Sequence, residues 1–329
     1  MFYYIENRET SPFYNLALEQ VVFDRLDRRH SYCILWQNDN SVIIGRHQNT
    51  AAEICVPFIK ANDINVARRL SGGGAVYHDL GNINFTFITD ANSGGIDFAA
   101  FCGLMREALR SFGAPAEIFG RNDIVIEGKK ISGNAQYIIQ GRVMHHGTLL
   151  YDTNLDTLEK ALSTDGNIQS KGIKSARSRV ANIRPYMQTD MPPDGFFSAL
   201  RNYLCTALEM REYSLTADEK AAAEHLRDTV YSQWSWNYGS SPPYNVRKSR
   251  RIDGCGTVEI LLNVAAEGKI DNITFYGDFF GSDDPALLAA MLAGRRLEHN
   301  ELSVVLQNVN VSRFFHNMDN ETFFSLLFE

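Results

Sequence analysis

The sequence predicts an α+β fold: mixed and antiparallel sheets flanked by helices, followed by a small α/β domain at the C-terminal end. Three observations carry that expectation. Short runs rich in β-branched and aromatic residues come close together, as at 32–36 and 41–45, instead of alternating regularly with helices. Tight turns such as Glu127-Gly128-Lys129 sit between two such runs, the mark of an antiparallel hairpin. No G-x-G-x-x-G leads from a strand into a helix, as a dinucleotide-binding βαβ unit requires.

Taken in order, residues 2–6 read as a first strand. Ser11-Pro12 is a helix start, Ser capping and Pro at the first helical position, and Phe13, Leu16, Ala17, Val21 and Leu26 recur at helical spacing to about Asp27. The runs 32–36 and 41–45 flank Gln37-Asn38-Asp39-Asn40, which has hairpin character. A helix is expected over 53–62 and a strand over 65–68. Residues 83–89 alternate like a strand with one buried face. Asp97 is placed as the cap of a helix whose stripe is Phe98, Phe101, Leu104, Met105, Ala108, Leu109 and Phe112, with Gly113 closing it. Beyond Asn154 come a short helix, a polar and basic stretch over 170–183, and helices at about 194–210 and 217–232. The latter opens on a capping box, Thr216 with Glu219. Gly239-Ser240-Ser241-Pro242-Pro243 is the best domain boundary, dividing a unit 1–240 from a unit 246–329. The second unit is read as strands at 256–265 and 269–278 and three helices, the first opening at Pro285.

A chain of 329 residues with 44% hydrophobic and 22% charged residues has the balance of a globular protein of about two domains. The net charge of −7 offers no electrostatic footprint for nucleic acid or an anionic membrane. The N-terminus carries Glu6 and Glu9 early and lacks a basic segment ahead of an apolar one, unlike a signal peptide. Cys33, Cys55, Cys102, Cys205 and Cys255 are odd in number and never in C-x-x-C spacing, so a reduced, cytoplasmic setting is expected. A monomer is the expected state.

Two blocks carry the chemistry. Arg68-Arg69-Leu70-Ser71-Gly72-Gly73-Gly74-Ala75-Val76-Tyr77-His78-Asp79 sets three glycines between arginines and a strand. Consecutive glycines cost folding entropy, and what they give in return is bare backbone against which a ligand can lie. Amide hydrogens beside guanidinium groups suit a phosphate. The ordinary alternative is a flexible surface turn. The second block begins at Gly120-Arg121-Asn122-Asp123 and returns as Lys130-Ile131-Ser132-Gly133-Asn134-Ala135, a hairpin with Asp123 and Lys130 on paired strands. Residues 144–151, with His145 and His146, make a third strand beside it. Singly these have ordinary fates: a solvated hairpin lysine, a turn aspartate, a half-exposed histidine pair. Together they are parts for handling a nucleotide α-phosphate with Mg²⁺, cations on the developing charge and a carboxylate on the metal. G-x-x-x-x-G-K-[ST] is absent, which weakens a kinase reading, and no cysteine falls in these blocks to act as a nucleophile.

These blocks resemble the lipoate-protein ligase family, as do His145-His146-Gly147-Thr148-Leu149, residues 171–180, Tyr14–Glu19 and Trp236–Gly239, in matching order and spacing. The resemblance implies a catalytic domain folded like biotin-protein ligase and a two-step reaction. ATP and lipoate give lipoyl-AMP and pyrophosphate, and the lipoyl group then passes to a lysine of an apo lipoyl-carrier domain, such as the E2 subunits of 2-oxoacid dehydrogenases or the glycine cleavage H protein. It implies Lys130 as the essential lysine and Arg69 as a nucleotide contact. Ser71, Gly74, Ala75, Val76 and Tyr77 belong to the adenylate site, with Arg177 and Val180 from a loop over 171–183 that orders above it. Asp123 is the Mg²⁺ partner, and Leu16, Trp36, His78 and His146 are lipoate contacts, with Ser71 falling near them. The rivals are an ATP-independent lipoyl or octanoyl transferase on the same fold, which pyrophosphate release would distinguish, and a non-catalytic carrier-binding module, which would lack Lys130 or Arg69.

Overall fold

The computed structural model describes residues 1–90, 98–120, 122–162, 179–238, 246–265 and 268–328. Its largest sheet has eight strands: β1 (Phe2–Glu6), β2 (Ser31–Trp36), β6 (Asn82–Asp90), β7 (Glu117–Phe119), β8 (Asp123–Ile126), β9 (Lys129–Ile139), β10 (Arg142–Leu150) and β11 (Arg211–Glu212). They lie in the order β11-β1-β2-β6-β10-β9-β8-β7. The β1 strand pairs in parallel with β2 and β11, and the other neighbours are antiparallel. A three-stranded sheet of β3 (Ser41–Ile44), β4 (Asn65–Arg68) and β5 (Val76–His78) stands apart, in the order β4-β3-β5.

Three readings of the sequence are corrected here. The runs 32–36 and 41–45 do not form a hairpin: β2 pairs with β1 and β6, whereas β3 pairs with β4 and β5 in the other sheet. Both runs are buried throughout, and each finds its partners far along the chain. The β6 strand is not half-exposed, because it sits in the middle of the sheet and is buried from Asn82 to Ile88. Ile83, Phe85 and Phe87 face one core, while Asn84, Thr86 and Ile88 take the opposite face. The expected helix over 53–62 is two short ones, α2 (Thr50–Glu53) and α3 (Val56–Ala61), interrupted before Pro57. Helix α1 (Pro12–Arg25) begins as the Ser11-Pro12 pair predicts, with Ser11 Oγ accepting from the Tyr14 amide. The helix Ala99–Ser111 ends at Gly113, whose φ is +94°, while the proposed Asp97 cap lies outside the described residues. The Thr216–Glu219 capping box is formed in both directions.

Residues 246–328 build a second core of their own, around Val258, Ile260, Phe275, Leu288 and Phe315. Its sheet has a strand the sequence reading missed: β12 (Val246–Ile252), ahead of β13 (Gly256–Val264) and β14 (Ile270–Gly277). Arg247, Lys248, Arg250 and Arg251 hid it, since cations are poor strand formers inside a sheet but are suited to an edge, where β12 lies. This unit docks on the glycine turn. A β-carbon on Gly72 would lie 2.1 Å from the Phe279 carbonyl oxygen, and His47 stacks on Phe279 at 4.8 Å.

Candidate functional site

Strand alternation decides which side chains meet. In β10, His145 and His146 point to opposite faces. His145 is fully buried among Phe85, Phe98 and Phe101, its Nδ1 3.0 Å from Gln136 Nε2 and its Nε2 3.1 Å from Asn134 Oδ1. Burial holds its pKa well below the ordinary histidine range. His146 shares the other face with its cross-strand neighbour Thr86. There His146 Nδ1 lies 2.9 Å from Glu19 Oε1, and Thr86 Oγ1 donates to the same oxygen at 2.5 Å. Trp36 Nε1 donates to Thr86 at 2.9 Å, and Ser71 Oγ lies 2.5 Å from His146 Nε2. One carboxylate from α1 therefore ties the Trp36 ring, the His146 ring and the start of the glycine turn together.

The glycine turn is shaped from inside by its own arginines. Arg69 Nη2 donates to the carbonyls of Gly72 and Gly74 at 2.6 and 2.9 Å, Nε to Ser71 Oγ at 3.1 Å, and Nη1 to the Ile43 carbonyl at 3.2 Å. Burial pulls its pKa down to about 10, so it stays a cation at neutral pH. Arg68 is committed in the same way, to the carbonyls of Gly45, Gln48, Trp236 and Asn237 and the Thr50 hydroxyl. Gly73 takes φ +92°, a conformation that favours glycine, and a β-carbon on Gly74 would meet no protein atom within 4 Å.

Across from the turn, Asp123 and Lys130 stand on the antiparallel strands β8 and β9, with Lys130 Nζ 2.8 Å from Asp123 Oδ1. Asn122 and Asn134 clamp the two strands reciprocally: each side-chain amide donates to the other's backbone carbonyl, at 2.5 and 3.0 Å. Val180 forms an isolated parallel bridge to Lys130, and the Ala181 amide donates to the Lys130 carbonyl at 3.0 Å.

A cavity of about 120 Å³ lies between the turn and the hairpin. Of the residues singled out from sequence, Leu16, Trp36, Arg69, Gly74, Ala75, Val76, His78, Lys130 and His146 line it. Ser71 reaches it through His146, and Asp123 through Lys130. The Tyr77 side chain turns away into the core of Val42, Ile44 and Ile59, so what it offers the turn is backbone. Arg177 lies outside the described residues. Asn122, Gly133 and Asn134, quoted in the second block without a role of their own, stand on the walls; sequence reasoning missed Asn84 and Phe280 there, and Thr86 and the role of Glu19 behind them. Glu19 had left a signal, a carboxylate inside the apolar run Leu16-Ala17-Leu18…Val21-Val22. Phe280 had left none, since it arrives from the second unit.

Among the described residues, no three His, Cys, Asp or Glu side chains group as a metal site. Asp123 fits Mg²⁺ only as a single carboxylate supplementing water and phosphate oxygens, the usual way this ion accompanies a nucleotide.

The class is defined by two family matches: the lipoyl protein ligase A/B catalytic domain over residues 11–205 and the bacterial lipoate protein ligase C-terminus over 241–327. Bacillus subtilis lipoate-protein ligase LplJ is 40% identical over 331 residues, covering 99% of each chain. The crystal structure of P. falciparum LipL1 in complex with lipoate shares the fold, with a TM-score of 0.80 at 23% identity over 99% of this chain and 97% of that one. That of lipoate-protein ligase A bound with ATP gives a TM-score of 0.60 at 29% identity, over 72% of this chain and 98% of that one. The chain belongs to the lipoate-protein ligase family.

Proposed function

We propose that this cavity joins the carboxylate of lipoate to AMP and then gives the lipoyl group to a carrier lysine. One observation carries the reading: Lys130 and the Gly73-Gly74 turn, far apart in sequence, line one cavity. In the first step a carboxylate oxygen bonds to the α-phosphorus of ATP as the bond to pyrophosphate breaks. In the second, a lysine nitrogen bonds to the acyl carbon, the bond to AMP breaks, and the proton lost from the amine passes to solvent. Negative charge builds on a phosphoryl oxygen first and on the acyl oxygen second. An ammonium held beside both sites stabilises each, and we assign that role to Lys130.

The bare backbone at Gly74 and Ala75 on the cavity wall suits the phosphate, and the apolar walls Leu16, Trp36 and Val76 suit the acyl chain. Arg69 supports the turn in that pose. Asp123 would hold Mg²⁺, which supplies neutralisation of phosphate charge when bound. Val180, bridged to Lys130, stands beside the reacting centre, and residues 171–178 of the segment expected to cover the mixed anhydride lie outside the described residues. We assign catalysis to residues 1–240 and an accessory role to 246–329. The acceptors we infer are E2 subunits and the glycine cleavage H protein, and the setting the cytoplasm, in keeping with an odd number of cysteines never in C-x-x-C spacing.

Incubating the full chain with ATP, Mg²⁺, lipoate and an apo carrier domain, then weighing the carrier, tests the reading. A gain of one lipoyl group that requires ATP and releases pyrophosphate is expected. Transfer without ATP would favour the transferase instead.

A further inference from the structure

An edge strand invites another chain to pair with it, and two edges of this fold are guarded by charge. The outer strand β11 is Arg211-Glu212, and β12 carries Arg247, Lys248, Arg250 and Arg251. At the other end of the eight-stranded sheet, β7 instead offers Ile118 and Phe119, 37% and 67% exposed. Among the described residues no strand covers the outer edge of β7, and no other two consecutive large apolar side chains are both exposed.

Register decides the face each side chain takes. Ile118 lies opposite Ile124, a member of the core that holds Cys102 and Met105, so it leans to that side. Phe119 lies opposite Asp123, and Asp123 opposite Gly133. The Lys130 side chain passes over Gly133 to reach Asp123 at 2.8 Å. Phe119 therefore shares the face of the ammonium, and two strand spacings, about 10 Å, separate its backbone from that of Gly133. Asn122, between Phe119 and the hairpin strands, lines the cavity, which makes β7 part of the rim. Glu117, two residues back on the same face as Phe119, is exposed and makes no ion pair among the described residues.

The transfer step supplies a partner for this rim. An acceptor lysine has to bring its nitrogen to the acyl carbon beside Lys130 on a four-carbon stem, so the backbone around it comes to rest close by. It arrives as a cation, to which the unpaired Glu117 carboxylate is complementary. An exposed aromatic ring on a free sheet edge is the kind of anchor an extended segment packs on. We propose that β7 is the docking strand for the carrier domain, with the segment around the acceptor lysine packed on Phe119 and its charge drawn in by Glu117. This rests on the ligase reading of the neighbouring cavity.

The test measures the two steps separately in the full chain: pyrophosphate release from ATP with lipoate, and lipoyl transfer to the apo lipoyl domain of an E2 subunit. Phe119→Ser and Glu117→Lys should each keep pyrophosphate release within about twofold and raise KM for the domain about tenfold, as loss of an interface anchor does. The kcat for transfer should hold, and Phe119→Leu should recover most of the KM. In wild type, the amides of 117–119 should gain protection from hydrogen exchange when the apo domain is added. No gain there overturns the proposal even if a variant fails to fold. An unchanged KM in either variant overturns it too, as do equal losses in both steps, which a structural role predicts. A wild-type dimer that Phe119→Ser splits, with KM for the domain unchanged, gives the edge to a second copy instead. Wild type that releases no pyrophosphate removes the ligase reading and this proposal together, whereas normal release with a normal KM in the variants removes the proposal alone.

Discussion

A β-carbon placed on Gly133 would lie 2.8 Å from both Cε and Nζ of Lys130. The glycine leaves the space that the lysine side chain occupies as it reaches the cavity and Asp123. The atoms in conflict are the free end of a flexible chain, so Gly133→Ala is expected to move the ammonium while leaving the fold intact. Adenylate formation should fall about tenfold or more with Tm nearly unchanged, and Lys130→Ala should cost at least about a hundredfold. The Lys130–Asp123 pair is 38% and 31% exposed, so its removal contributes little to stability. Wild-type adenylation by Lys130→Ala would remove Lys130 from the mechanism, and by Gly133→Ala would show that the ammonium does not need the space this glycine leaves.

Removing His146 strands a buried carboxylate. Glu19 is 2% exposed, and without the ring it keeps only Thr86 as a partner on Oε1. His146→Ala is expected to destabilise the protein by about 2–4 kcal/mol in chemical denaturation. Adding Glu19→Gln should recover part of that loss, because the uncompensated charge is gone. A His146→Ala protein as stable as wild type would show that the network holds nothing in place.

Arg69 works as a brace with donors in a fixed planar fork, and lysine cannot reproduce that. Arg69→Lys should leave the carbonyls of Gly72 and Gly74 unbraced, raise KM for ATP, and lower stability by about 1–3 kcal/mol. Equal kinetics for ATP in the variant would mean that the shape of the turn does not depend on this side chain.

Two sets of buried or half-buried groups push stability in opposite directions with pH. Burial holds His47 and His78 down to about 3, so below pH 6.5 the unfolded chain binds protons that the folded chain refuses. Their contribution is complete above pH 6.5 and is lost as pH falls toward 3. Glu53 is the reverse: burial, and then Asp278 and Glu259 of the second unit, push it up to about 7. Its folded form keeps a proton that the unfolded form gives up near 4.5, so stability is lost as pH rises from about 4.5 through 7. Glu53→Gln should therefore melt above wild type at pH 8 and close to it at pH 5. The same margin at both pH values would contradict this.

Much of the fold was legible because its signals are local. The Ser11-Pro12 start, the Thr216–Glu219 box and the Asp123–Lys130 hairpin each depend on residues a few positions apart. Elements whose partners are distant were misread. The separation of β2 from β3 into different sheets, and the burial of both faces of β6, follow from pairings that no short window contains. The basic edge strand β12 was missed because its composition suits its exposed place and not its conformation.

The sequence by itself determined the family, the order of the chemical blocks and the residue types offered to the site, since these are carried by contiguous motifs. Tertiary structure alone decided that His145 packs into the opposite core, that Glu19 ties Trp36 to His146, and that Phe280 closes one wall from another unit. The reason is geometric. A strand sends neighbouring side chains to opposite faces, and which face meets the cavity depends on packing against segments far away in the chain.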